Sequence, residues 1–177
     1  MAQSNWLSAD DQLELLTLGS PDTYSFEPPY QSSHKEPDLV VEPLGAKYPT
    51  IVFECGWSET SKKLIEDMRI WILGGNPEVQ LVFIAKFSRL TGSRIEGYVE
   101  LYGRDENCQP TLLTRKDIFP ASQSDIDSEP KIRITRGQLW GSYLPKGQNG
   151  SDHFDLPVNV FRHYARECIS QLGCEPA

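Results

Sequence analysis

A mixed β-sheet flanked by helices, in the α/β class, is the fold this sequence predicts, and three consecutive stretches predict it. Thr50-Ile51-Val52-Phe53-Glu54-Cys55 is β-branched and aromatic, bounded by Pro49 and Gly56, and apolar on both faces until Glu54, which reads as a buried central strand. After a cap at Ser58, Leu64, Met68, Trp71 and Ile72 recur at the spacing of one helical face, and Gly74-Gly75 ends the run. Val79 to Phe87 then carries Leu81-Val82-Phe83-Ile84-Ala85, another continuous apolar run of strand length. Strand, helix and strand in that order imply a parallel pair with a right-handed crossover.

The remaining elements follow in chain order. Ser8 to Leu18 reads as a first helix, capped by Ser8 with Asp11 three residues on, and Gly19-Ser20-Pro21-Asp22 stops it. The polar, Pro-rich stretch from Pro28 to Pro37 reads as an exposed loop. Asp38-Leu39-Val40-Val41 is a short strand, and Gly45 offers the turn that makes a meander with the central strand. Gly97 to Tyr102 and Lys131 to Thr135 alternate as strands that would extend the sheet, separated by an acidic, Ser-rich surface loop from Pro120 to Pro130. The last helix, Pro157 to Leu172, puts Val158, Phe161, Ala165 and Ile169 on one stripe.

With 177 residues the chain fits a single domain, residues 1–177, that buries a core without disulfide or metal staples. Its four cysteines are scattered with no CxxC pair, so they read as free thiols. The first residues, MAQSNWLSADD, lack a basic stretch followed by an apolar one, and no apolar run reaches membrane-spanning length. The expected location is inside the cell, in cytoplasm or nucleus, with no membrane partner. A formal charge of −8, from 25 acidic against 17 basic residues, argues against broad contact with phosphate backbones and requires any nucleic-acid contact to be local. His34, His153 and His163 fall in separate elements, and no Gly-rich phosphate loop, nucleophile elbow or zinc spacing is present.

The chemistry that remains is acidic. Asp38 begins one strand and Glu54 ends the next, so a meander brings both carboxylates to one edge of the sheet. Such a pair suits a hard cation: Mg²⁺ prefers a couple of carboxylate oxygens, waters and a substrate phosphate, with the backbone carbonyl of Cys55 as the natural third protein ligand. Each residue also has a plain reading. Asp38 after Pro37 is an ordinary turn residue, Glu54 is a partner for Lys63, Lys86 or Arg69, and Lys62 and Lys63 pair with Glu66 and Asp67 along the helix. Trp57 and Trp71 read as core.

Pro37-Asp38, sixteen residues, Glu54-Cys55-Gly56, then a helix and an apolar strand resemble the PD-(D/E)XK nuclease superfamily, of restriction-endonuclease-like fold. The resemblance covers roughly Lys35 to Phe87. More narrowly, PTIVFECGWSETSKKLIEDMRIWI followed by VQLVFIAKF is similar to a variant group seen in uncharacterised fungal proteins. The resemblance implies a Mg²⁺- or Mn²⁺-dependent hydrolase of DNA phosphodiester bonds, with Asp38, Glu54 and Cys55 holding the metal and a lysine beside them. The superfamily pattern places that lysine two residues after Glu54, where this sequence has Gly56. Lys63, on the flank of the helix face, and Lys86, in the next apolar strand, are the two substitutes, and Ser58 and Ser61 near the helix start are candidate phosphate donors. The alternative is a catalytically inactive protein of the same fold serving as a protein-interaction or nucleic-acid-binding module, with a protein partner or a second copy of the chain.

Overall fold

The computed structural model describes residues 6–8, 11, 14–19, 23–57 and 60–177. Its central sheet has the strand order β1 (Leu15–Gly19), β4 (Leu39–Pro43), β5 (Ile51–Gly56), β6 (Leu81–Arg89), β7 (Arg94–Arg104) and β11 (Glu175–Pro176), with β8 (Pro110–Phe119) also paired to β7. Two short ribbons stand apart from it: β2 (Tyr24–Ser25) with β3 (His34–Lys35), and β9 (Lys131–Thr135) with β10 (His153–Pro157). The helices whose residues are all described are α1 (Ser61–Gly74), α2 (Gln123–Ser128), α3 (Arg136–Trp140) and α4 (Val158–Gln171). Among the described residues no helix is long and apolar enough to cross a membrane.

The expected strand–helix–strand unit is present. β4 and β5 run antiparallel, with Leu39 opposite Phe53; α1 follows, and β6 returns parallel to β5, with Glu54 opposite Ile84 and Gly56 opposite Lys86. Alternation along these strands divides the core between the two faces of the sheet. Val40, Val52, Val82 and Ile84 pack under Leu64, Met68, Trp71 and Ile72 of α1. Ile51, Leu81, Phe83 and Val99 face the other way, toward Val158 and Ile169 of α4 and the β9–β10 ribbon. The stripe expected on the last helix is therefore the one that packs, with Phe161 and Ala165 at the margin of that core.

Several expectations need correction. The segment expected to be helical up to Leu18 instead forms β1 from Leu15 onward, antiparallel to β4. The ladder along the edge of β4 satisfies its backbone in a way that local helical spacing does not reveal. The Ser8 signal itself is real: the Ser8 and Asp11 backbone N–H groups each donate to the other residue's side chain, at 2.8 and 3.0 Å. Lys131 to Thr135 does not extend the central sheet, because its strand partner is β10. The acidic segment from Pro120 to Pro130 contains α2, whose start is capped by Ser122 accepting from the Asp125 N–H. Helix α1 starts at Ser61 with Thr60 in the cap position, and the Ser58 expected there lies outside the described residues.

Candidate functional site

The meander places Asp38 just ahead of β4 and Glu54 near the end of β5, at the same end of the sheet. The β4–β5 ladder runs from Leu39–Phe53 to Val41–Ile51. Beyond it, the backbone N–H of Cys55 donates to Asp38 Oδ2 at 2.6 Å, so the aspartate side chain continues the pairing that the strand has given up. Glu54 points to the α1 face. It is 9 % exposed, and Trp71 Nε1 donates to its Oε1 at 2.6 Å. Neither carboxylate makes a further hydrogen bond to the described residues.

Burial is the largest influence on Glu54 and pushes its carboxyl upward. The Trp71 indole opposes the shift, the charges of Asp38 and Asp67 add to it, and Lys35 reduces it, leaving the group at about 7. Asp38 is thus near enough for the two charges to repel. Lys35 does not neutralise the pair, because it is ion-paired with Asp67. The Cys55 thiol belongs to the opposite face of the sheet, where it lines an apolar cavity under α4 together with Phe53, Ala85 and Cys168. Burial raises its pKa, so the protonated thiol is favoured.

The lysine position has a steric explanation. A Cβ on Gly56 would lie 2.6 Å from Leu64 Cδ1, so α1 packs against the bare backbone and a lysine stem has no room there without displacing a core leucine. Directly opposite Gly56, one strand over, stands Lys86. It is only 6 % exposed, and its ammonium donates to the carbonyls of Trp57 (3.3 Å) and Phe87 (3.0 Å). Among the described residues no lysine forms an ion pair within 4.0 Å of Asp38 or Glu54. Lys63 is exposed in the first turn of α1. Lys62 pairs with Glu66 at 3.8 Å as its spacing predicts, but Asp67 pairs with Lys35 rather than with Lys63. Ser61 is exposed, its hydroxyl 3.5 Å from the Tyr98 hydroxyl.

Strand pairing carries this polar face further than sequence reasoning did. Gly56, Lys86, Tyr98 and Asp117 form one row across four strands, and Glu54, Ile84, Glu100 and Arg115 form the next. Arg115 lies over the Tyr98 ring at 3.7 Å and bonds Glu100 at 3.0 Å. Reading β8 as a strand would have found Arg115 and Asp117, which pair with Glu100 and Tyr98 of β7. The bond from Trp71 to Glu54 had a weaker signal, an indole needing an acceptor in a buried helix face.

The donors suit a hard cation in kind: two carboxylates, one of them buried, and the Cys55 carbonyl beside them, with water and substrate oxygens left to complete the shell. Among the described residues no group of three or more His, Cys, Asp or Glu side chains is gathered to hold a metal. Comparison of the chain with protein-family models, with curated proteins and with solved structures finds no match.

Proposed function

We propose that this protein is a restriction-endonuclease-like, Mg²⁺- or Mn²⁺-dependent phosphodiesterase acting on DNA, with Asp38 and Glu54 as metal ligands and Lys86 in place of the lysine missing at Gly56. The observation that carries the reading is the register of β5 against β6. It sets Lys86 opposite Gly56 and on the face of the sheet that holds Glu54, so the positive charge that the resembled pattern puts on one strand is supplied by its neighbour. The antiparallel meander through β4 and β5, followed by α1 and the parallel β6, supports the same reading.

A bound divalent cation would supply Lewis acidity at a phosphoryl oxygen and lower the pKa of a bound water. The chain's own residues hold the geometry. The Cys55 N–H fixes the Asp38 carboxylate, and the Trp71 indole fixes one oxygen of Glu54. Lys86, held on two backbone carbonyls and buried with no ion pair among the described residues, is a charge that an incoming phosphate would neutralise. Of the two candidate lysines, Lys86 is preferred because the sheet fixes its backbone beside the site, whereas Lys63 is exposed on a helix turn.

The test is calorimetric titration of Mg²⁺ and Mn²⁺ into the wild type, Asp38→Ala and Glu54→Ala, followed by incubation of the same samples with plasmid and single-stranded DNA. Metal binding and metal-dependent cleavage by the wild type alone support the phosphodiesterase. A folded wild type that binds neither cation and cuts nothing overturns it. That result would favour the non-catalytic module, for which the existing bonds from Cys55 to Asp38 and from Trp71 to Glu54 already speak.

A further inference from the structure

We infer that the cleft beside Lys86 receives one unpaired nucleobase of the substrate strand, so the substrate is single-stranded or locally unpaired DNA. This rests on the phosphodiesterase reading above and adds the class of substrate to it.

The cleft encloses about 260 Å³ between β6, β7 and the end of β8. Its position follows from register. Adjacent strands lie about 4.8 Å apart, so the row Gly56, Lys86, Tyr98, Asp117 leads from the candidate metal ligands to the cleft within two or three strand spacings. A β-bulge shapes it: Gly97 pairs with Phe119 but Tyr98 pairs with Asp117, leaving Ile118 as the extra residue of β8. Bulges bend a strand and re-aim its side chains, and they are frequent beside active sites. Gly97 lines the cleft through its backbone, while a Cβ there would stand 2.3 Å from the Phe87 ring on the other face of the sheet.

The lining suits a base better than a bare phosphate. Two cations, Lys86 and Arg115, are matched by two carboxylates, Glu96 and Asp117, and Arg115 is further neutralised by Glu100. A second phosphate would gain little there, but a flat heterocycle with donors and acceptors on its edge would be read on both counts. The Arg115 guanidinium already stacks on Tyr98 on one side, and its side chain is 48 % exposed. Its other face is the kind of planar cation on which unpaired bases stack. Asp117 can accept from an exocyclic amino group, as acidic side chains do from cytosine N4. Phe119 supplies an apolar wall. A base inside a duplex presents neither its face nor its pairing edge to such a cleft, so it must be unpaired to enter. The chain's charge of −8 fits a contact that is local and base-directed.

The experiment is fluorescence anisotropy in EDTA, with labelled single-stranded oligodeoxynucleotides of cytosine, thymine or abasic sites and a matched duplex. The wild type should bind the cytosine strand roughly ten-fold or more tightly than the abasic strand or the duplex. Arg115→Ala and the charge-preserving Arg115→Lys should both lose most of the difference from the abasic strand. Asp117→Asn should lose the preference for cytosine over thymine, with each variant's folding checked by thermal unfolding. Equal binding of duplex, abasic and base-bearing strands by the wild type overturns the inference, as does full discrimination retained by both Arg115 variants. The two readings separate cleanly. Base-dependent binding without metal-dependent cleavage sinks the phosphodiesterase and leaves the base site standing, while cleavage of duplex and abasic strands at the same rate does the reverse.

Discussion

Glu54 and Asp11 are both carboxylates withdrawn from water, 9 % and 6 % exposed, yet their environments push them in opposite directions. Burial would raise Asp11 as it raises Glu54. Asp11, however, accepts from the Ser8 backbone and from the Gln148 side chain, both at 2.8 Å, and lies 3.3 Å from Arg136, and together with the Ser8 hydroxyl these outweigh burial and hold it at about 2. Glu54 has one donor among the described residues, Trp71, and two repelling neighbours, Asp38 and Asp67, and stands at about 7. A buried carboxylate with a full set of partners is part of the scaffold. One with a single donor and a second carboxylate nearby opposes folding while it is ionised, an imbalance that a bound cation would relieve.

The largest effect should come from breaking the satisfied cluster. Asp11→Ala leaves Arg136, which also donates to Gln148 at 2.7 Å and to the Trp6 carbonyl, without its carboxylate in a largely buried place. We expect a loss of about 3 kcal/mol, read as a lower midpoint in urea, with DNA cleavage by the remaining folded protein unchanged. Glu54→Ala should reverse this pattern, abolishing cleavage with a smaller cost in stability. If the two variants lose stability equally and neither changes activity, the contrast between scaffold and site is wrong.

The second effect is pH dependence, and its sign differs between the two groups. Glu54 has a folded pKa raised from 4.5 to about 7, so its contribution to stability is fully present below about 4.5 and is lost as the pH rises through 7. Asp11 has a folded pKa lowered from 3.8 to about 2, so its contribution is present above 3.8 and is lost as the pH falls toward 2. Glu54→Gln, which keeps an oxygen for Trp71, should match the wild type near pH 4.5 and exceed it by about 2 kcal/mol at pH 8. Saturating Mg²⁺ should narrow that gap at pH 8 by stabilising the wild type alone. Denaturant midpoints across this range, with and without the cation, decide it.

How much of this was legible beforehand depended on whether the signal was local. The β5, α1 and β6 run was readable because continuous apolar strands and a four-, seven- and eight-residue helical stripe are properties of adjacent residues, and Asp38 and Glu54 came with it as charges at strand ends. β1 was misread because the spacing of Leu15 and Leu18 fits a helix, while its pairing partner β4 begins some twenty residues later. β8 went unread because its outward residues, including Leu112 and Leu113, are exposed and blur the alternation. With β8 went Arg115 and Asp117. Gly56 was noticed as a missing lysine, but the reason for it, the approach of Leu64, exists only once α1 is laid on the sheet.

That packing sets the third effect. Gly56→Ala puts a methyl against Leu64 and forces α1 to shift or Leu64 to leave its rotamer, at a cost of about 1–2 kcal/mol. Because α1 also carries Trp71, a shift of the helix would loosen the bond to Glu54. The variant should therefore lose cleavage more than its remaining folded fraction accounts for, whereas a substitution of similar cost on the α4 side, Ile169→Val, should not. Rates normalised to folded protein distinguish the two.

The smallest effects should be the most discriminating, because they act on Glu54 through charge alone. Lys35 and Asp67 are ion-paired with each other, and both act on Glu54 from across the α1 face, with opposite signs. Removing the positive member in Lys35→Met should raise the Glu54 carboxyl further. Removing the negative one in Asp67→Asn should lower it, and both changes should be smaller than the shift imposed by burial, which is the first cause. NMR titration of the Glu54 side-chain carbon in the three proteins reads this directly. Opposite displacements would mean that Glu54 titrates in an electrostatic field set by its neighbours and open to adjustment by a bound cation. Displacements of the same sign, or none, would mean that desolvation alone governs it, and a cation placed beside it would then have to overcome burial without help from the charges already there.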